Sequence, residues 1–512
     1  MARWLGLALA IVLWEILARL NAGSFVIAGP IAVADYIYMN TGLLGRALGA
    51  TFQAAVWGFL WGNLAACCLA CLVVLFPRTE RVVNVFALLV FCLPLVATGP
   101  ILRVLYGPGA GPQITLAALA VYYTSYLALL VGLRAVPQSW MDLVQSYGRG
   151  SVTTLLQIRL RASVPYLIAA LQIGAPVAFL GAMVGEFTGA ERGLGVLTLR
   201  AMRGLDVDAT WAIASIATAV SVLAFQVFGR LGDWLQTDRP TLLLSAAQTK
   251  NGPAAWQRVL TAAAIALLVV VVWQVLMDVF GLNRFFAKRP ADVWTYLISG
   301  SNATAARETL FAALGQTLWL TFPGYFAGLL LGAGLAAAVV ILPGVAAAIL
   351  PVAVALRSVP IITTAPLIVL ALGRGSLGTI TIVAVMIFFP TLVACLQGLR
   401  QTPGQVHELF QTYAASRLRL LRLAQIPAML PAFFAAARMA VPAALLAATT
   451  TEWLATGTGI GNLMALTAST SDYNMLWSAV VVLALIAMVF YMAVEVVEQK
   501  VLAVYASEQV RR

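Results

Sequence analysis

Adding 266 to the numbers of many helix-breaking residues in the first half of this sequence lands on the same residue types in the second half. Pro77 meets Pro343, Pro94 and Pro100 meet Pro360 and Pro366, and Gly107 and Gly109 meet Gly373 and Gly375. Gly132 and Pro137 meet Gly398 and Pro403, and Pro165 and Pro176 meet Pro431 and Pro442. Glu186 meets Glu452, Gly193 and Gly195 meet Gly459 and Gly461, and Thr51 and Trp211 meet Thr317 and Trp477. Shared apolar composition would not place breakers in one ungapped register, so the chain is a duplication. The ends match after a small length change, Trp14 and Leu17 resembling Trp273 and Leu276. Residues 1–240 and 256–512 are read as two copies of one unit, with a polar linker over 241–255.

What each copy can be follows from composition. Of 512 residues, 62% are hydrophobic and only 10% charged, against roughly 25% charged in a soluble domain. No polar half remains to build a soluble enzyme, and disorder requires low hydrophobicity. A membrane helix takes about 20 apolar residues, and each copy offers six such stretches. They run near 4–20, 47–76, 82–106, 113–135, 163–187 and 209–232, then 257–280, 312–342, 345–372, 376–398, 429–453 and 475–500. The expectation is an all-α polytopic membrane protein of about 12 transmembrane helices. Because six is even, the repeat is parallel, its axis along the membrane normal. Glu15 inside the first apolar run, with no small-residue cleavage site after it, favours a retained helix over a signal peptide.

The net charge is +12. Its arginines are scattered in ones and twos, so it is read as a topology signal rather than nucleic-acid binding. Both termini and the loop between the fourth and fifth spans are placed in the cytoplasm. Cys68 and Cys71 lack a second ligand pair and the only histidine is His407, so no metal site is expected. No G-x-x-x-x-G-K-[ST] phosphate loop occurs.

The cytoplasmic loop carries the most information. Trp140, Leu143, Val144 and Tyr147 fall at helical spacing, as do Val406, Leu409, Phe410 and Tyr413. Each set makes an apolar stripe on a short helix, with Asp142 and Glu408 on the polar side. Gly148 ends the helix in the first copy; Ala414 stands there in the second. Such a helix either lies among lipid headgroups or docks into a groove on a partner. Two equivalent copies suit a dimeric partner.

This loop resembles that of permease subunits of binding-protein-dependent ABC importers. Their signature is an acid and two alanines, then glycine, then Ile-x-Leu-Pro. Asp142, Gly148 and Leu160 match it in one copy, and Glu408, Ile426 and Pro427 in the other. Leu143–Val144 and Leu409–Phe410 replace the alanines, and Arg161 the proline of the first copy. Arg357-Ser-Val-Pro360 with Ala365-Pro366-Leu367, and Arg438 with Glu452 and Gly459-Ile460-Gly461, resemble nitrate, sulfonate and taurine permeases. The first copy has Phe91 and Gln172 in place of the two arginines. The resemblance implies a type I importer fold with two permease units fused. It further implies no cofactor in this chain, ATP used by separate ATPase subunits on the loop helices, and a solute-binding protein outside. The location implied is a bacterial inner membrane, and the substrate a small, anionic solute. Glu186, Arg357, Arg438, Glu452, Pro94 and Pro360 are expected along the translocation path or its gate. The alternative is a secondary transporter of two six-helix halves needing no ATPase, which the repeated cytoplasmic helix argues against.

Overall fold

The computed structural model describes residues 27–107, 109–136, 138–235, 255–342, 375–400 and 404–505. Isolated positions at 11–12, 14–16, 18–20, 365, 368–369, 372–373 and 402 are also described. The expected spans at 4–20 and 345–372 fall largely outside these residues, as do Arg357, Pro360, Pro137 and Pro403.

Among the described residues every regular element is helical. The first copy contains α1 (Pro30–Met39), α2 (Thr41–Leu75), α3 (Glu80–Phe91), α4 (Leu95–Tyr106) and α5 (Gly111–Arg134). It continues with α6 (Gln138–Ser146), α7 (Ser151–Phe187), α8 (Leu194–Arg203) and α9 (Val207–Trp234). The second contains α10 (Ala255–Val279), α11 (Pro290–Trp294), α12 (Ala303–Ile341), α13 (Ser376–Arg400) and α14 (Gly404–Thr412). It ends with α15 (Arg417–Thr456), α16 (Gly459–Ser469) and α17 (Tyr473–Tyr505). The 266-residue register survives in three dimensions. α6 and α14 correspond residue for residue, as do the π-helical turns Leu155–Arg159 and Leu421–Gln425 that open α7 and α15.

Eight described helices are long and apolar enough to cross a membrane: α2, α5, α7, α9, α12, α13, α15 and α17. The third stretch of the first copy, 82–106, is not one span but the broken pair α3 and α4. Pro94 has no N–H to donate and disfavours helical geometry at Leu93. Pro94 itself is extended, at φ −70° and ψ 104°, and α4 restarts after it. Each piece has 12 residues, about 18 Å at 1.5 Å per residue, too short to span alone.

Small residues bring the long helices together. A Cβ on Gly62 of α2 would lie 2.7 Å from the Ala118 carbonyl oxygen of α5. One on Gly328 of α12 would lie 2.7 Å from the Ala384 oxygen of α13. With Gly58 and Gly324 four residues earlier, each copy uses a G-x-x-x-G face where lipid offers no hydrophobic drive between helices. The N-terminal ends dock alike: Trp14 packs on Trp211 at 5.4 Å between ring centres, and Trp273 on Trp477 at 5.6 Å.

The copies meet along a shared core that joins Ala87, Leu88, Tyr122 and Tyr126 to Met464, Leu476, Leu483 and Tyr491. α3 and α4 of the first copy supply much of the contact with α15, α16 and α17. Phe91 stacks on Tyr123 at 4.4 Å, and the Tyr123 and Tyr491 hydroxyls lie 3.5 Å apart across the seam.

Candidate functional site

The loop helices present their apolar stripes outward. Trp140 is 61% exposed, Leu143 57%, Leu409 53% and Tyr413 78%, and Tyr147 is exposed as well. Val144, Val406 and Phe410 are half-buried; Asp142 and Glu408 are exposed. Met141 turns inward and is buried, which seats α6 on the bundle. Both helices end in the same left-handed turn. Gly148 has φ +67°, and the Arg149 N–H donates to the Val144 oxygen at 3.3 Å. Ala414 has φ +47°, and the Ala415 N–H donates to the Phe410 oxygen at 2.9 Å. The turn is thus kept in the second copy although alanine carries a strain of roughly 1–2 kcal/mol there. The two helices and the turns after them form two equivalent handles, each with an exposed apolar stripe.

The paired glutamates are fasteners at the far ends of the fifth spans. Glu186 is the penultimate residue of α7 and is buried. Its Oε1 accepts from the Thr51 hydroxyl of α2 at 2.7 Å, and its Oε2 from the Gly195 N–H at 2.6 Å. The Thr51 oxygen in turn accepts the Leu194 N–H at 2.8 Å. The second copy repeats this with the Thr317 hydroxyl and the Gly461 N–H on Glu452 Oε2, both at 2.9 Å, and Ile460 N–H on Thr317 at 2.8 Å. At the start of α8 and of α16 the glutamate thus takes one free N–H and the threonine another, tying three elements into one unit. Threonine partners 135 residues away escape a reading by local spacing; their shared place in the repeat was the available signal.

The glycines after each glutamate let this closure happen. Gly193 has φ +137° and Gly459 φ +78°, where a side chain would be strained. A Cβ on Gly195 would lie 2.6 Å from the Met183 carbonyl oxygen, and one on Gly461 would collide with the Thr449 carbonyl. Gly195→Ala or Gly461→Ala is expected to cost about 1–3 kcal/mol by overpacking against backbone, read as a lowered thermal midpoint in detergent. Gly334→Ala, a helical site with open space beside it, should show no loss.

Arg438 is buried on α15 and belongs to an ion pair. Its Nε lies 2.9 Å from Glu498 Oε2 on α17, close but not aligned as a hydrogen bond. Glu495 stands 3.9 Å away, and the guanidinium sits 5.8 Å from the Tyr491 ring centre. In the first copy Gln172 takes the place of Arg438, and Gly229 and Gly232 those of the two glutamates. The Gln172 amide lies against Gly229, where a Cβ would come within 2.7 Å of it. Charge and counter-charge therefore appear together in one copy and are absent together in the other. Pro94 breaks the third stretch as described, while Arg357 and Pro360 lie outside the described residues. The structure does not gather Arg438 with the glutamates Glu186 and Glu452, which have their own partners.

Handles repeated on each half, fused halves and a membrane-spanning bundle define a transport permease. Residues 58–239 and 324–503 each match the family described as binding-protein-dependent transport system inner membrane component, and the chain belongs to that family of ABC transporter permeases. It is 29% identical over 227 residues to a probable ABC transporter permease of Haemophilus influenzae, covering 44% of this chain and 91% of that protein. A riboflavin transport system permease of Chloroflexus aurantiacus is 28% identical over 46% of this chain and 85% of its own length. A taurine transport system permease of Escherichia coli is 26% identical over 39% and 69%. Each of these relatives matches less than half of this chain.

Proposed function

We propose that this chain is a pair of fused permease units of an ATP-driven importer, acting in the inner membrane with its termini and handles in the cytoplasm. The observation that carries this reading is the exposure of two equivalent apolar stripes, Trp140–Leu143–Tyr147 and Leu409–Tyr413, on short helices at the same place in each copy. ATPase subunits grip one handle each; their closure on ATP draws the handles together and opens the seam between the copies outward. A solute-binding protein delivers a small solute to that seam, which the Tyr123–Tyr491 contact closes at the middle of α5 and α17. The residues proposed to couple are Trp140, Asp142, Leu143, Tyr147 and Gly148, with Val406, Glu408, Leu409, Tyr413 and Ala414.

Substrate charge is a separate matter. A guanidinium suits a sulfonate or nitrate, but Arg438 already faces Glu498. Of the two arginines, Arg357 is the one left to meet an anionic substrate, and the relatives include both a riboflavin and a taurine permease. Purification of the chain from native membranes tests the assembly: two ATPase subunits and a binding protein per chain are expected. A chain that purifies with neither, from membranes that express both, would speak for the secondary-transporter reading. A ligand screen on the binding protein then reads the substrate directly.

A further inference from the structure

Beside the handle of the first copy lies a cavity of about 290 Å³ that the transport reading does not use. Its walls are Val73 and Val74 of α2, Pro77 just after it, Leu133, Arg134 and Val136 at the end of α5, Met141 of α6, and Arg159 of the π turn. Two guanidiniums thus enter one small space. Arg134 pairs with Glu80 at 2.8 Å. For Arg159 no carboxylate lies within ion-pair distance among the described residues, and the side chain is half-buried. The pocket therefore holds one cation more than it holds anions. The residues between the two cations are apolar, most of the open surface inside the cavity is polar, and Leu72 and Phe76, chain neighbours of Val73 and Pro77, are exposed.

The second copy carries different residues at this place. There Gln425 replaces Arg159 and His407 replaces Met141, and their side-chain nitrogens approach to 3.5 Å across the same space. Arg400 keeps the place of Arg134, while Ala346 stands where Glu80 would be. The second copy thus has a neutral polar pair where the first has Met141 and Arg159, the latter unpaired among the described residues.

We propose that the first copy binds a phosphoryl monoanion here, supplied as the headgroup of an anionic phospholipid. A guanidinium matches phosphate oxygens with paired N–H donors. One surplus cation balances the single charge of a phosphodiester. Basic pockets between membrane helices at the cytoplasmic face are where such headgroups are held, and the exposed Leu72 and Phe76 offer apolar ground for the glycerol and acyl portion outside the cavity. The inference stands apart from the substrate and rests on the chain lying in a membrane with its handles in the cytoplasm, as proposed above. Because Met141 lies on α6, an occupied site would brace the handle.

The test is a titration of the purified full chain, in a neutral detergent, with short-chain phosphatidylglycerol, with phosphatidylcholine of the same acyl length, and with inorganic phosphate. The variant is Met141→His with Arg159→Gln, which installs the pair the second copy already folds with. Saturable phosphatidylglycerol binding is expected, weaker by about tenfold or more in the variant, as the loss of a charge-assisted contact implies. Phosphatidylcholine should bind weakly and alike to both chains. Inorganic phosphate binding as well as the lipid would show a phosphoryl site filled from solution and overturn the lipid as its source. Equal phosphatidylglycerol affinity in variant and native chain, or no binding by either phosphoryl probe, would overturn the proposal.

Discussion

Arg438→Ala is expected to destabilise the second copy by about 3–5 kcal/mol, because it strands Glu498 in a buried place with its charge unmatched. Glu498 is only 5% exposed and Arg438 10%, so water cannot substitute for the lost partner. The duplication supplies a control within the sequence itself. Arg438→Gln combined with Glu495→Gly and Glu498→Gly rebuilds the first copy's Gln172, Gly229 and Gly232. That triple variant should recover most of the loss, falling short by roughly 1 kcal/mol for each glycine placed in a helix. Thermal midpoints in detergent of the native chain, the single variant and the triple variant decide the matter. A triple variant no better than Arg438→Ala would mean that Arg438 acts on something other than Glu498.

The second large effect concerns the handles. Leu143→Asp and Leu409→Asp each place a charge in the middle of an exposed stripe. If each leucine anchors an ATPase subunit, each change should remove at least about 2 kcal/mol of docking, about 30-fold in affinity. The pair together should abolish ATP-driven uptake. Insertion and thermal midpoint should stay as in the native chain, since neither side chain is part of a buried core. ATPase binding and uptake in reconstituted vesicles check this. Native coupling in the double variant would mean that the helices lie on lipid and that coupling occurs elsewhere.

Much of this architecture can be read from residue order. Prolines and glycines locate helix ends, so a constant offset of 266 between them exposes the duplication before any helix is placed. Stripes on short helices are equally visible, because 3.6-residue spacing maps directly onto one face. The third stretch is different. Hydropathy over 82–106 reports length and greasiness, and both are satisfied whether or not Pro94 divides the helix. Here local sterics overrule composition. The membrane charges are harder still, since a buried carboxylate needs a partner but sequence does not say how far away it lies. Thr51 is 135 residues from Glu186, and Glu498 is 60 residues from Arg438. The clue lay in comparing the copies. Thr51 and Thr317 are kept with their glutamates, whereas Arg438 and Glu498 are replaced together.

The central claim is that the fused halves are worked from outside, through the two handles. Uptake by vesicles holding this chain, with and without its ATPase subunits, measures that most directly. With the binding protein, solute and ATP supplied throughout, the account predicts accumulation only when the ATPase subunits are present, and none with the chain alone. Concentrative uptake by the bare chain, driven by an ion gradient and indifferent to ATP, would contradict it.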